Sequence, residues 1–357
     1  MVFRNNLPVS ALLDWRGLDG ATAAEPLTGR SPLPPGGEAS FTIAPRRAGT
    51  FFCDLMVSGE ALPTRPFPLV VEDGVPLGAD RDEMCLVEEW RLKLDGTACA
   101  PGTEAREASP PIYTVNGQVF PKIAVGSHEH LRFRFVNGCQ RRVIALKIEG
   151  YEIRVIALDS APADPFAARD SVLVLAPGGR VDALVDAPAA FAAASLILLH
   201  DGQQSHTLAR LVLSGAAGRS AQLQPAPALP DDALPARLDL RSALRIDLAL
   251  EGGEWVMPAG LSASTPPAFK AKKDRTIVLA LNNRAELATI FHLHGHHFRL
   301  LDRLDEGWKP FWLDTLAVEP RQTQRVAFSA EFAGRWLLES TAMDWAAPRL
   351  VRWFSVE

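Results

Sequence analysis

Asn282-Asn283 followed by His292-Leu293-His294-Gly295 is the most informative phrase in the sequence, because the same pattern occurs twice more. The other copies are Asn5-Asn6 with Asp14-Trp15-Arg16-Gly17 and Asn137-Gly138 with Lys147-Ile148-Glu149-Gly150. Each copy has an Asn, a mostly apolar run, and then a polar, an apolar and a polar residue before a Gly. The copies lie much farther apart than the roughly 20–50 residues of a solenoid repeat. The sequence therefore predicts three related domains, of which only the last carries a pair of histidines.

A second repeated element supports this division. Residues 41–52 resemble residues 326–337, and residues 175–182 form a weaker copy between them. Each copy is a strand-like run, an Ala-Gly or Gly-Gly turn and a second run, which is typical of a Greek-key sandwich. Residues 131–136 alternate polar and apolar side chains, as half-buried strands do. We expect an all-β chain of three Greek-key β-sandwich domains.

Length and composition fit that architecture. The chain has 357 residues, 47% of them hydrophobic, which is enough for two or three domains with real cores. We expect domains at residues 1–74, 75–213 and 237–357, with an Ala-, Pro- and Gly-rich linker at 214–236. Strands of the middle domain are predicted at residues 86–92, 131–136, 143–148, 153–158, 173–175 and 208–213.

The charge of the chain and the lack of targeting signals in its sequence exclude several classes of function. The net charge is −5 and the pI about 5.9, and no basic run is interleaved with aromatic residues, so a nucleic-acid surface is not expected. No stretch approaches about 18 uninterrupted apolar residues, and the first residues hold no signal-peptide core. Cys53, Cys85, Cys99 and Cys139 show no metal-site spacing, and free thiols or one or two disulfides fit them equally well.

His292 and His294 are the first candidate site. Residues i and i+2 of a strand point to the same face, so the two imidazoles project together while Leu293 faces away. Two neighbouring imidazoles are half of a nitrogen-ligand site for copper or zinc, which needs one or two further ligands. The alternative is an ordinary strand with polar side chains at a hydrated interface.

The residues around these phrases resemble a known family. Residues 291–298, 314–320 and 333–336 resemble the last cupredoxin domain of the multicopper oxidases, which are laccase-like enzymes. Residues 111–117 and 175–182 resemble their middle domain, and residues 5–8, 15–17 and 48–52 resemble their first. The resemblance implies three cupredoxin-like domains, the first truncated at its N-terminus. It also implies a periplasmic or cell-envelope location, although this chain shows no signal peptide.

Most ligand positions implied by the resemblance hold other residues. The positions matching the trinuclear copper site are Asp14, Arg16, Asp54, Met56, His292, His294, Glu339 and Thr341. The positions matching the mononuclear site are Thr289, Ser340, Trp345 and Leu350. Only His292 and His294 remain from the full set. Ser340 offers no thiolate for the mononuclear copper, and Arg16 places a permanent cation where a copper cluster would lie.

Two interpretations of the altered site follow. Asp14, Arg16, Asp54, His292, His294 and Glu339 should meet between the first and third domains. In one interpretation they form a network of salt bridges and hydrogen bonds, in which Arg16 contacts at least one carboxylate. In the other, His292, His294 and a carboxylate bind zinc or non-haem iron. The first interpretation is favoured, so no cofactor is expected, neither the family's copper nor another metal.

The expected function is a non-catalytic binding or scaffold module with a protein partner. The alternative is an oxidoreductase or a mononuclear metal-binding protein that uses His292 and His294 with nearby carboxylates. The short first domain has two interpretations: a fragment or late start, or a reduced domain whose edge a partner or a second copy covers.

Overall fold

A computed structural model describes residues 1–57, 62–72, 74, 78–104, 110–188, 195–217, 228–230, 234–302 and 307–357. Strands dominate it, and three short 3₁₀ helices lie at Thr22–Ala24, Arg169–Ser171 and Pro258–Gly260. The strands form three groups, called the first, second and third units below. This architecture confirms the predicted all-β fold.

The first unit is the smallest. Its strands are β1 (Val2–Arg4), β2 (Ala11–Arg16), β3 (Glu38–Ser40), β4 (Gly49–Val57) and β5 (Phe67–Val71). β1 pairs with β3, while β2, β4 and β5 make a three-stranded antiparallel sheet. Every residue of β2 is buried, although alternating exposure would be expected of a surface strand. Both faces of β2 are therefore covered, one by its own core and the other by the rest of the protein.

The second unit is a two-sheet sandwich. Its strands are β6 (Arg81–Trp90), β7 (Ile112–Val115), β8 (Lys122–Ser127), β9 (His130–Asn137), β10 (Ile144–Ile148), β11 (Arg154–Leu158), β12 (Ala161–Ala167), β13 (Val172–Leu175), β14 (Arg180–Asp186), β15 (Ser195–His200) and β16 (Ser205–Ala217). The sheet orders are β13-β10-β15-β16-β8 and β12-β11-β14-β9-β6-β7. One apolar core that includes Phe133, Phe135 and Ile144 lies between the two sheets.

The third unit repeats this plan. Its strands are β17 (Leu244–Ala249), β18 (Lys270–Ala271), β19 (Thr276–Asn282), β20 (Thr289–Leu293), β21 (Arg299–Leu300), β22 (Thr315–Val318), β23 (Thr323–Ser329), β24 (Gly334–Ala342) and β25 (Leu350–Val356). The sheet orders are β17-β19-β23-β21 and β18-β25-β24-β20-β22. Phe291, Phe328 and Trp336 are among the fully buried residues of its core.

The strands predicted for the middle domain agree with β6, β9, β10, β11, β13 and β16 within a few residues at each end. β16 continues four residues into the predicted linker, and residues 218–227 and 231–233 of that linker lie outside the described residues. The four cysteines are buried free thiols. Within the described residues, no helix is long and apolar enough to span a membrane.

Candidate functional site at the junction of the three units

The first unit supplies two carboxylates from neighbouring strands. Asp14 on β2 and Asp54 on β4 are register partners in an antiparallel pair, so their side chains share one face of the sheet. They are 0% and 2% exposed. A buried carboxylate is costly unless a hydrogen-bonded cation opposes it. The two acids therefore require cationic partners from outside their own strands.

The third unit supplies the two histidines and a third carboxylate. His292 on β20 is the register partner of Glu339 on β24, and His294 follows directly after β20. The centroids of the two imidazole rings are 4.5 Å apart, as the alternation of the strand predicts. Gly295 ends the phrase with a φ of +67°, a left-handed turn that favours glycine.

Arg16 on β2 joins all three units. Its guanidinium donates to Glu339 Oε2 at 3.1 Å and to Thr315 Oγ1 at 3.2 Å, both in the third unit. It also donates to the carbonyl of Pro177 in the second unit at 3.0 Å. Arg16 thus contacts one of the three carboxylates predicted as its partners, and it is buried rather than extended into solvent.

A second buried arginine, which the sequence analysis did not identify, completes the ion pairs. Arg349 lies just before β25, and its guanidinium contacts Asp14 Oδ2 at 3.2 Å and Asp54 Oδ2 at hydrogen-bond distance. Its Nη1 is 4.0 Å from Glu339 Oε1. Arg349 supplies the cation that Asp14 and Asp54 require, across the boundary between the first and third units.

His294 lies among three carboxylates. Its Nε2 is 3.3 Å from Glu339 Oε1 and 3.8 Å from Asp14 Oδ1, and its Nδ1 is 3.2 Å from Glu25 Oε1. These are ion-pair contacts without hydrogen-bond geometry. Glu25, also absent from the sequence prediction, accepts the backbone N–H of Leu337 at 2.8 Å. The junction cluster is defined here by Asp14, Arg16, Glu25, Asp54, His294, Glu339 and Arg349.

His292 borders the junction cluster but has its own partners. Its Nδ1 lies 2.9 Å from the carbonyl oxygen of Asp314 and 3.1 Å from Thr315 Oγ1. Its Nε2 is buried and has no hydrogen-bond partner among the described residues. Burial and the nearby Arg16 hold the pKa of His292 well below its usual value. The ring is therefore neutral, its Nδ1–H donates to the Asp314 carbonyl, and Nε2 presents a free lone pair.

The pKa values in the junction cluster follow from burial and pairing. Burial raises the pKa of Asp14 to about 7, and the Glu339 carboxylate adds to the rise. Burial alone would lower the pKa of His294, but the carboxylates of Glu25 and Asp14 hold it well above its usual value. Burial would raise the pKa of Glu339, but Arg349 and His294 hold it well below its usual range. Glu339 is thus ionised and His294 is an imidazolium at neutral pH.

A separate ion pair attaches the second unit to the third. Arg180 on β14 donates to both carboxylate oxygens of Asp314, at 2.9 and 2.8 Å. Asp159 Oδ2 accepts the backbone N–H of Asp314 at 3.1 Å. All three side chains are buried, and Asp314 is the residue whose carbonyl contacts His292. The bidentate pair therefore also fixes the backbone that orients His292.

The other predicted positions do not join the junction cluster. Ser340 Oγ donates to the carbonyl of Leu250 at 2.5 Å, inside the third unit. Met56 packs in an apolar cluster with Leu12, Leu337 and Val351. The remaining positions are Thr289 and Thr341, both buried, Trp345, stacked against Arg91, and Leu350, packed against the core of the third unit.

His296 and His297, which follow Gly295, are buried. His297 Nδ1 contacts Asp19 Oδ1 at 2.6 Å and its Nε2 contacts the Asp159 carbonyl at 2.7 Å, so it bridges all three units. His296 lies among aromatic rings of the third unit. Burial lowers the pKa of His296 to about 3 and that of His297 to about 4. The His296 ring is therefore neutral at physiological pH.

Comparison with known proteins places the chain in a family. Two multicopper oxidase family models match it, one over residues 89–212 and the other over residues 240–357. The chain belongs to the multicopper oxidase family. The solved multicopper oxidase of Pseudomonas thermotolerans is 25% identical, with a TM-score of 0.82 over 100% of this chain and 88% of that one.

Two further multicopper oxidase comparisons agree. Lac15 from a marine microbial metagenome is 25% identical, with a TM-score of 0.81 over 99% of this chain and 88% of that chain. The iron transport multicopper oxidase FET3 of Kluyveromyces lactis is 32% identical over 108 residues, which span 25% of this chain and 17% of that protein. The multicopper oxidase models match the second and third units, and the solved structures extend the likeness to the first.

Proposed function

We propose that this chain is a multicopper oxidase family member without oxygen-reducing copper sites, and that it acts as a non-catalytic binding or scaffold module. The single observation that carries the proposal is Arg16. Its buried guanidinium lies at a position where the family resemblance implies a copper ligand, and it donates to acceptors on Pro177, Thr315 and Glu339. A fixed cation at this point opposes a cluster of copper ions electrostatically.

The mononuclear position supports the same conclusion. Intense colour and electron uptake at such sites depend on a copper–thiolate bond. Ser340 has a hydroxyl there, and that hydroxyl donates to the Leu250 carbonyl. The four thiols of the chain are Cys53, Cys85, Cys99 and Cys139, all buried in the first and second units. The family's copper therefore does not fit these side chains.

Ion pairs between the units support a scaffold role. Arg16, Arg349 and Arg180 each contact a carboxylate of another unit. A cavity of about 110 Å³ is lined by apolar side chains that include Leu12, Met56 and Met257, and it reaches Pro348, the residue before Arg349. Three units held in one arrangement present a composite surface to a partner protein. By family, we place the protein in the periplasm or the cell envelope.

Reconstitution with copper tests the proposal. Purified protein incubated with excess copper and then desalted should show no intense visible absorption band, because no thiolate is available at the mononuclear position. It should also consume no oxygen with phenolic substrates above the rate of a buffer control. An intense visible band together with substrate-dependent oxygen uptake would contradict the proposal.

A further inference from the structure

Three ligand atoms in the junction cluster converge on one point. His294 Nε2 is 3.3 Å from Glu339 Oε1 and 3.8 Å from Asp14 Oδ1, and all three atoms lie within 4.8 Å of one another. Each residue is at least nine-tenths buried, and none of the three atoms has a hydrogen-bond partner among the described residues. These atoms face one another in ion pairs but make no hydrogen bond. Buried polar atoms that make no hydrogen bond are rare in native proteins, so three in one place indicate a site for a ligand.

We infer that Asp14, His294 and Glu339 bind one divalent metal ion of the zinc class between the first and third units. The inference goes beyond the scaffold function, because it assigns a ligand to the junction. Zinc lies about 2.0–2.2 Å from nitrogen and carboxylate ligands, which in a tetrahedral site places ligand atoms roughly 3–4 Å apart. The measured separations of 3.3 and 3.8 Å match that requirement.

Each of the three ligand side chains has a second polar atom, and that atom contacts a charged group outside the metal site. Arg349 contacts Asp14 Oδ2 at 3.2 Å, and Arg16 donates to Glu339 Oε2 at 3.1 Å. Glu25 Oε1 faces His294 Nδ1 at 3.2 Å. Outer groups of this kind orient metal ligands and are a regular part of metal sites. The two guanidiniums bind the far oxygens of the carboxylates. Of the near oxygens, Glu339 Oε1 lies 4.0 Å from Arg349 Nη1 but accepts no hydrogen bond.

The formal charges of the junction cluster favour a divalent cation. Asp14, Glu25, Asp54 and Glu339 are four carboxylates, whereas Arg16 and Arg349 are two guanidiniums. Zinc binding would displace the Nε2 proton of His294 and any proton on Asp14. The cluster then carries two negative charges, which are costly in a buried site unless a cation balances them. One divalent ion balances them. A donor set of one imidazole nitrogen and two carboxylate oxygens suits Zn²⁺. It differs from the ligands of a copper–thiolate site and from those of a three-copper site.

Zinc titration of the metal-free protein tests the inference. Chelator-treated, dialysed protein titrated with Zn²⁺ by calorimetry should bind one ion per chain, with a rise in Tm that saturates at the same ratio. The Asp14→Asn and Glu339→Gln variants should each bind zinc at least about 10-fold more weakly, because an amide is a poorer ligand than a carboxylate. Glu88→Gln is the matched control, since it makes the same change at an equally buried glutamate of the second unit and should keep the affinity.

Cobalt binding tests the site in the wild-type protein, so the result does not require that any variant folds. Wild-type protein with one equivalent of Co²⁺ should show visible bands of a four-coordinate N/O site, which Zn²⁺ abolishes by displacement. Absence of a one-to-one complex, or zinc affinity unchanged in Asp14→Asn and Glu339→Gln, would overturn the inference. Neither result would affect the scaffold proposal, which depends on copper colour and oxygen uptake.

Discussion

At the scale of single residues, His296 shows how burial sets the charge of a side chain. Its ring centroid lies 5.2–5.8 Å from those of Phe328, Phe332, Trp336 and Phe354. Burial lowers its pKa from 6.5 to about 3. Because the folded pKa is below the unfolded one, the stability from the neutral ring is complete above about pH 6.5 and is lost as the pH falls toward 3.

Replacing His296 by Phe should therefore reduce the acid sensitivity of the protein. The wild-type protein should lose on the order of a few kcal/mol between pH 7 and pH 4 through this residue, and the variant should lose correspondingly less. Denaturant unfolding at both pH values measures the difference. His200→Gln, a change at an exposed imidazole, is the control. An identical fall in stability for wild type and His296→Phe would show that His296 is not the titrating group.

At the scale of elements, the turn after each repeated phrase distinguishes the third unit from the second. Gly295 and Gly150 end equivalent phrases with φ values of +67° and +78°. A Cβ on Gly295 would lie 2.1 Å from the ring of Trp336, which is fully buried, whereas a Cβ on Gly150 would meet no described atom within 4 Å. The same backbone conformation is thus tightly packed in one unit and open in the other.

Alanine variants of Gly150 and Gly295 should separate the cost of backbone strain from the cost of a packing clash. Gly150→Ala should cost about 1–2 kcal/mol, the penalty of a left-handed non-glycine residue. Gly295→Ala should cost that amount plus about 1–3 kcal/mol, because Trp336 must move. The free energies of unfolding of the two variants measure the difference. Equal losses would mean that the Trp336 contact does not restrict this turn.

Sequence patterns predict which face a side chain occupies better than which partner it meets. Alternation along β20 was enough to place His292 and His294 side by side, and the repeated phrase placed Asp14 and Arg16 on the corresponding strand. Arg349 and Glu25 were missed because they lie outside the strands of the repeat and reach the junction through tertiary packing.

A count of the charges in the predicted cluster could have indicated that the sequence supplies one more buried cation. The predicted cluster opposed Asp14, Asp54 and Glu339 with Arg16 alone, so at least one more buried cation was required. Alternation could not identify it as Arg349, which lies just before β25. Conversely, Met56 shares the strand of Asp54 but packs with apolar side chains, because its neighbours at that level are Leu12 and Leu337.

At the scale of the whole molecule, buried ion pairs connect the three units. Arg16 and Arg349 join the first unit to the third, and Arg180 joins the second to the third. Removing one member of a buried pair leaves its partner uncompensated, which typically costs more than the pair itself contributes. Stability should therefore depend on Arg16 far more than on a surface arginine.

The most direct test is the free energy of unfolding of Arg16→Ala, measured by denaturant titration with a chelator present. We predict a loss of about 3–5 kcal/mol, the usual penalty for an unpaired buried charge. The control is Arg4→Ala, which removes an exposed pair with Glu38 and should cost less than about 1 kcal/mol. A loss for Arg16→Ala no larger than that of Arg4→Ala would contradict the claim that a buried charge network holds the three units together.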